Sequence, residues 1–405
     1  MQSRNRKNLF ILSFTLVVVT LGFGVVIPII PFYMETLGAG GSELGLLVAS
    51  YAVMRLFFAP LWGSLSDRVG RKPIMIIGIF GYGLTMVLFG LATELWMLFV
   101  ARMLSGILSS ATSPTTMAYI GDSTSEEERG GGMGILGAAV GLGTIFGPAL
   151  GGLLAGDSLS TPFFIAGGMS LLAMLLIAIF LPESLPKEDR QPIVKRIPIP
   201  EFRSWWQALN SPIGILLILV FLLTCGLMIF YGIFGLYALE KFGYGPEEVG
   251  IVFMVVGLVS AVTQGLLTGP LTKRWGETPL IKIGMLGSAI ALSLMALAGT
   301  YSTILITTGL FVFTTSILTP AVSSLTSKRA ASQQGMAMGL SNSFMSLGRI
   351  AGPLWAGFVF DINLILPYLS GAVTMLIGFF ISLIWLKEKE PTGIASISAD
   401  QGSAS

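Results

Sequence analysis

The amino-acid sequence predicts an all-α integral membrane protein with twelve transmembrane helices in two pseudo-symmetric six-helix bundles. Three observations carry the prediction. The 405 residues are 53% hydrophobic and only 11% charged, with a mean hydropathy of +0.83, whereas a soluble domain carries roughly 25% charge. Apolar runs of about 20 residues, long enough to cross a bilayer, recur along the whole chain. Residues of the first half also reappear in the second at a near-constant offset.

Turn and charge signals divide the apolar runs into twelve spans, in order 8–33, 43–65, 73–92, 95–120, 131–155, 161–181, 212–238, 247–271, 278–298, 301–325, 334–358 and 363–386. Lipid does not tolerate unsatisfied backbone, so each span must be a helix. Span 1 follows "RNRK" and has no small-residue cleavage pattern, which reads as a retained helix rather than a signal peptide. "GAGGSELG" after it reads as a turn. Between spans 2 and 3, "GSLSDRVGRKP" (63–73) concentrates four charged side chains between Asp67 and Lys72.

Only 182–211, "PESLPKEDRQPIVKRIPIPEFRSWWQALNS", is a long polar interruption. The expected units are therefore an N-terminal bundle (1–181), a cytoplasmic linker (182–211), a C-terminal bundle (212–388) and a cytoplasmic tail (389–405). Inside the linker, Phe202, Trp205, Trp206 and Leu209 fall at helical spacing. They suggest either a short helix lying on the membrane surface or a plain connector.

Composition excludes several functions. The chain has no histidine, which removes His-based zinc sites, histidine acid/base catalysis and a histidine pH switch. A lone Cys225 allows no intrachain disulfide and reads as packing. With a net charge of +2 and no long basic block, nucleic acid is not an expected partner. No nucleophile beside a base, metal cluster or phosphate-binding glycine loop stands out, so an enzyme is not expected.

Orientation follows from lysine and arginine. With both termini in the cytoplasm, Arg55, Arg102 and Arg349 lie within helices, Lys241 lies outside, and the other 19 of the 23 basic residues are cytoplasmic. A multi-pass protein of the cell (plasma or inner) membrane is expected.

The halves repeat one another. Glu35, Gly38, Glu43 and Gly45 recur as Glu240, Gly243, Glu248 and Gly250; Gly63, Leu65, Arg68, Gly70 and Pro73 recur as Gly269, Leu271, Arg274, Gly276 and Pro279; Gly143, Gly147, Pro148 and Gly152 recur as Gly348, Gly352, Pro353 and Gly357. A repeated bundle of this kind places a site between the halves near the bilayer midplane, exposed alternately to each side.

These motifs resemble those of the major facilitator superfamily. "GSLSDRVGRKP" looks like its motif A, with a degenerate copy in "GPLTKRWGETP". "LFVARMLSGILSSATSP" resembles motif B, whose buried arginine would be Arg102, and "GLGTIFGPALGG" resembles the motif C of antiporters. "LGFGVVIPIIPFYMETLG" is similar to helix 1 of the twelve-helix drug/proton antiporter branch, which includes tetracycline and multidrug exporters.

Asp67 sits at the end of helix 2, where an anion can cap the positive N-terminus of a neighbouring helix. The resemblance implies that this neighbour is helix 11 and that Arg71 pairs with Asp122. Asp67, Arg68, Arg71 and Asp122 would then form a conformational latch closed in the outward-facing state. Arg68, Arg71 and Lys72 alone are equally explained as positive-inside anchors. In motif C, Gly143, Gly147 and Gly151 give helix 5 a bare face for close helix approach, bent at Pro148; Gly352 and Pro353 repeat the device in helix 11.

Arg55, Arg102 and Arg349 lie well inside their helices, and an arginine near mid-membrane costs on the order of 3 kcal/mol or more unless it faces protein or water. All 21 acidic residues fall in loops or at helix ends. This departs from exporters of organic cations that carry a membrane-embedded carboxylate; Tyr231 stands where some relatives have an acid. The expected cavity residues are Arg55, Met54, Tyr231, Gln264, Asn342 and Arg349, joined by Phe57, Met228, Phe230, Phe234, Met254, Ser341, Phe344 and Met345. Arg102 and Glu35 are expected in coupling or structure.

The expected function is efflux of amphipathic drugs or metabolites by alternating access, energised by a proton gradient without any cofactor or metal. A neutral or anionic amphiphile is the favoured substrate, membrane lipid the surrounding partner, and a monomer the expected state. Glu35, Asp67 and Asp122 are the candidate proton carriers. A lipid or glycolipid flippase and an anion-nutrient symporter remain alternatives.

Overall fold

A computed structural model describes residues 3–123, 126–156, 158–190, 202–330 and 333–386. The long apolar runs form twelve helices: α1 (Ser3–Thr36), α2 (Gly41–Val69), α3 (Arg71–Gly90), α4 (Leu95–Ser123), α5 (Glu126–Leu154) and α6 (Thr161–Phe180), then α7 (Gly214–Phe242), α8 (Pro246–Trp275), α9 (Glu277–Leu297), α10 (Tyr301–Arg329), α11 (Gln334–Ile362) and α12 (Leu366–Trp385). Eleven of them are long and apolar enough to cross a membrane. The exception, α11, has 29 residues, as many as α2 and α7, but carries Ser341, Asn342, Ser343, Ser346 and Arg349.

Helix starts and stops reproduce the sequence repeat. Backbone N–H groups at a helix start need acceptors. The Glu43 carboxylate accepts from the Gly40 N–H at 3.0 Å, and Glu248 accepts from the Gly245 N–H at 2.9 Å. The positive-φ glycines also form two repeat pairs, Gly38 (75°) with Gly243 (70°) and Gly70 (121°) with Gly276 (75°). The charged stretch 63–73 proves to be almost entirely helical, because only Gly70 separates α2 from α3. "GAGGSELG" likewise turns only as far as Gly40, the N-cap of α2, and is helical from Gly41.

Two irregular turns were not expected. Ser109–Ala111 tightens to a 3₁₀ turn within α4, and Thr263–Leu267 widens to a π turn within α8. In the linker, Phe202–Leu209 is helical, with Trp206 71% exposed and the Trp205 ring 6.3 Å from that of Phe344 on α11. Residues 191–201, the tail 389–405 and the side chain of Phe202 lie outside what is described.

Motif C packs as the glycine spacing predicts, and its partner is α1. A Cβ on Gly147 would lie 2.6 Å from the Leu21 carbonyl oxygen and 2.8 Å from Gly24. In the second half, Gly352 meets α7 in the same way, 2.6 Å from the Cys225 carbonyl oxygen. Cys225 is buried at this contact.

Across the halves, α2 runs along α11 and α5 along α8, with α1 touching α7. These contacts gather at one end of the bundle, here called the Asp361 end. Gly45 faces Pro353 and Gly357 faces Gly41; the symmetric pairs are Gly250 with Pro148 and Gly152 with Pro246. At the opposite, Asp67 end, Cβ positions on Gly134, Gly137, Gly141, Gly265, Gly269, Gly335 and Gly339 meet nothing within 4 Å. The buried core agrees: one cluster joins both halves, including Ile29, Leu47, Phe234 and Phe360, whereas a second, with Leu12, Met75, Tyr119 and Leu136, belongs to the N-terminal half alone.

Candidate functional site: the central cavity and its two ends

Between the halves lies a cavity of about 540 Å³ lined from α1, α2, α4, α5, α7 and α11. Its walls are mainly apolar, with Phe23, Val26, Ile27 and Ile30 from α1, Leu44 and Val48 from α2 and Met228 from α7. Polar groups enter from Tyr51, Thr144, Tyr231 and Ser346. Three cations complete the lining, Arg55, Arg102 and Arg349, and no acidic residue is among the lining residues.

The arginines are organised around Tyr51. The Arg102 guanidinium lies over its ring, 4.8 Å from the centroid, a cation–π arrangement that offsets part of the cost of burying the charge. Arg55 Nη1 donates to the Tyr51 hydroxyl at 3.4 Å, and that hydroxyl lies 3.4 Å from Ser109 Oγ on α4. Arg102 Nε is buried without a hydrogen-bond partner. Arg349, from the other half, lies within electrostatic reach of Arg55 and Tyr51. Among the described residues, none of the three forms an ion pair with a carboxylate.

Of the expected cavity residues, Arg55, Met228, Tyr231 and Arg349 line this space, and Arg102 joins them. Met54 instead packs towards α4 at Gly106. Gln264 is exposed on the π turn of α8, donating to Ser260 Oγ at 2.8 Å, and Asn342 is exposed on α11. Phe230 and Phe234 form an aromatic core with Phe253 and Phe311 behind the cavity wall. Phe57 is exposed, and Met254, Ser341, Phe344 and Met345 are absent from the lining. Tyr51, Thr144 and Ser346 were missed. Tyr51 and Ser346 precede Arg55 and Arg349 by one turn, which is their only sequence signal; Thr144, on a helix with no arginine near its middle, has none.

At the Asp361 end the α2–α11 contact carries an anionic cap. Asp361, at the end of α11, accepts from the backbone N–H groups of Gly41 at 2.8 Å and Ser42 at 2.9 Å, and from the Ser42 hydroxyl. A carboxylate at a helix N-terminus satisfies orphan donors and complements the helix dipole. Glu240 lies within electrostatic reach of Asp361 and Glu35, so acids from both halves converge there. Asp361 was not singled out in the sequence, where it looks like any acid at a helix end.

At the Asp67 end the expected Arg71–Asp122 pair is present at 3.0 Å. Asp67, expected against α11, bonds instead to Arg71 Nη1 within its own half. Ser66 Oγ accepts from the same nitrogen at 2.7 Å. Arg68 is half-buried beside them. Glu183, a further residue the sequence did not flag, caps α3 by accepting from the Arg71 N–H at 2.8 Å and the Lys72 N–H at 3.3 Å. Asp67, Arg71 and Asp122 are therefore joined to one another within the N-terminal half in this state.

Comparison with known proteins agrees with this architecture. The family model described as Major Facilitator Superfamily matches residues 12–263 and 216–405. Multidrug resistance protein 2 of Bacillus subtilis (strain 168) is 31% identical over 386 residues, covering 95% of this chain and 96% of its own. Quinolone resistance protein NorA of Staphylococcus aureus (strain COL) is 30% identical, covering 93% of this chain and 96% of its own. Among solved structures, the human organic anion transporter MFSD10 (TETRAN) superposes with a TM-score of 0.67 at 23% identity, over 94% of this chain and 100% of its own. The chain is a multi-pass membrane transporter, not an enzyme, and it belongs to the major facilitator superfamily.

Proposed function

We propose that this protein exports amphipathic small molecules by alternating access, driven by a proton gradient, and favours neutral or anionic compounds over permanent cations. One observation carries the reading: a cavity between the halves holds three arginines and no carboxylate, and is sealed at the Asp361 end. Two like charges about 6 Å apart repel by roughly 3 kcal/mol at an effective dielectric near 20, more than a hundredfold in affinity. Relatives named for multidrug and quinolone resistance support outward drug transport.

The distribution of basic residues puts the Asp67 end and both termini in the cytoplasm, so the described state opens inward. In the opposite state the Asp361 cap breaks and Asp67 turns to the N-terminus of α11. Arg102, buried under Tyr51, holds the cavity wall. Glu35, Asp67 and Asp122 are the chain's candidates to carry the coupling proton, and a monomer surrounded by lipid is the expected working unit.

Purified protein in proteoliposomes with an imposed proton gradient tests this reading. Outward transport of neutral and anionic amphiphiles should exceed that of ethidium-like cations, and collapse of the gradient should abolish it. Preferential export of permanent cations would overturn the charge preference. Movement of lipid headgroups alone would replace drug export with flipping.

A further inference from the structure

Arg55 and Arg349 enter one cavity from opposite halves of the molecule, Arg55 on α2 and Arg349 on α11, and lie close enough to repel. Neither has a carboxylate partner among the described residues. Both are half-buried in a cavity open at the Asp67 end, and this chain supplies no acid at their depth. Water can solvate them while the cavity is empty, and when a substrate displaces that water an anionic group on it is the natural counter-charge.

We infer that Arg55 and Arg349 form a clamp for one anionic group of the substrate, a carboxylate, sulfonate or phosphate, which bridges the two halves. This rests on the transport reading above and adds the group recognised, its orientation and its effect on the protein.

The orientation follows from the lining. Val48 lies seven residues before Arg55 on α2, about 10 Å nearer the sealed end at 1.5 Å per residue. Leu44, Ile30 and Pro31 surround that same end, giving it an apolar roof. An amphiphile therefore enters tail first, its apolar part beneath the roof and its anion at the arginine level. Guanidinium groups suit this because their fixed fork pairs with carboxylate or phosphate oxygens through charge-assisted bonds. Ser346 lies one turn before Arg349 and Tyr51 one turn before Arg55, both in the lining, adding hydroxyls beside the anion.

The clamp also changes the protein. While the cavity is empty, repulsion between Arg55 and Arg349 resists approach of the halves at the open Asp67 end. An anion held by both cancels the repulsion and links α2 to α11. Closure at that end is then favoured by loaded protein and disfavoured by empty protein, the condition a transporter must meet to avoid futile cycling.

Three probes with one ring system test this: 1-naphthaleneacetate, 1-naphthaleneacetamide and (naphthylmethyl)trimethylammonium, each titrated onto full-length protein in lipid nanodiscs by calorimetry. The carboxylate should bind about tenfold or more tightly than the amide, and the ammonium most weakly. Arg55→Gln and Arg349→Gln should each collapse the carboxylate-to-amide ratio towards one. A ratio of affinities is not moved by a fraction of misfolded sample. The double variant should lose little more than either single one, since one anion uses both groups.

The carboxylate, but not the amide, should also slow thiol labelling of Gly335→Cys, which faces open space in the described state. Equal binding of carboxylate and amide, or a ratio unchanged by either substitution, would overturn the clamp even if the protein exports drugs. Losses in the double variant that add as independent sites would overturn the bridge. Arginine-dependent carboxylate binding in a protein that exports none of the three probes from proteoliposomes would leave the clamp standing and remove the export reading.

Discussion

The two ends of the α2–α11 pair differ although the helices are continuous. At the Asp361 end, glycines of each helix meet backbone of the other and a carboxylate caps α2 across the halves. At the Asp67 end, Gly335 and Gly339 of α11 face nothing within 4 Å, and Asp67 bonds within its own half. The helices are antiparallel, and each carries an aspartate near its end, Asp67 on α2 and Asp361 on α11. Only one of these caps across the halves is made. Along this helix pair the close glycine contact, the anionic cap and the shared core occur at one end and are absent at the other, which is what a two-position gate requires.

The other sealing contact, α5 with α8, sharpens the point. It copies the glycine packing, Gly152 on Pro246 and Gly250 on Pro148, at the repeat offset. The position matching Asp361 is Gly156, and among the described residues no carboxylate caps α8 across the halves. Among the described residues, the carboxylate cap across the halves is found at α2–α11.

The largest effect is expected from filling the sealed contact. Gly45→Val drives a side chain into the Pro353 backbone, and overpacking costs about 1 to 3 kcal/mol, so the sealed state should fall by about fivefold to more than a hundredfold. Transport assays and outside accessibility of cavity cysteines check this. Gly339→Val, matched in chemistry but placed at the open end, should leave the described state intact; a loss of transport there would report on the opposite state. Gly147→Val, within motif C, should slow transport or make it leaky by prying α5 from α1, whereas Leu153→Val, at an exposed position, should not.

Next comes the charge cluster. Asp67→Asn and Asp122→Asn remove partners of the largely buried Arg71 while keeping shape, and each should reduce transport about tenfold with insertion intact, as measured by surface labelling beside uptake in vesicles. Arg102→Ala should weaken all substrates alike, in contrast to the charge-selective losses expected at Arg55. The smallest shift is expected from Asp361→Asn, since an exposed cap contributes about 1 kcal/mol, a few-fold change in the balance of states.

Much of this was legible in the sequence because it depends on local spacing. Four-residue glycine periodicity located the motif C contact, a constant offset exposed the repeat, and rarity of charge singled out Arg55, Arg102 and Arg349. What was not legible depends on distant pairs or on register. Asp361 meets Gly41 across 320 positions, and nothing in the residues around it marks it as a cap. Gln264 lies on the π turn of α8 with its amide bonded to Ser260, a local change of helical register that residue spacing does not announce. Met54 and Asn342 sit on helices surrounded by neighbours, where apolar periodicity does not say which face borders empty space.

The central claim is that α2 and α11 exchange caps, Asp361 sealing one end and Asp67 the other. It is tested by measuring two distances in one sample set with electron spin resonance. Labels on Leu46→Cys and Phe358→Cys report the Asp361 end, and labels on Leu65→Cys and Met336→Cys report the Asp67 end. In Asp361→Asn the first distance should lengthen while the second shortens, and adding Asp67→Asn should reverse both. Distances that stay fixed, or that lengthen at both ends together, would contradict the account.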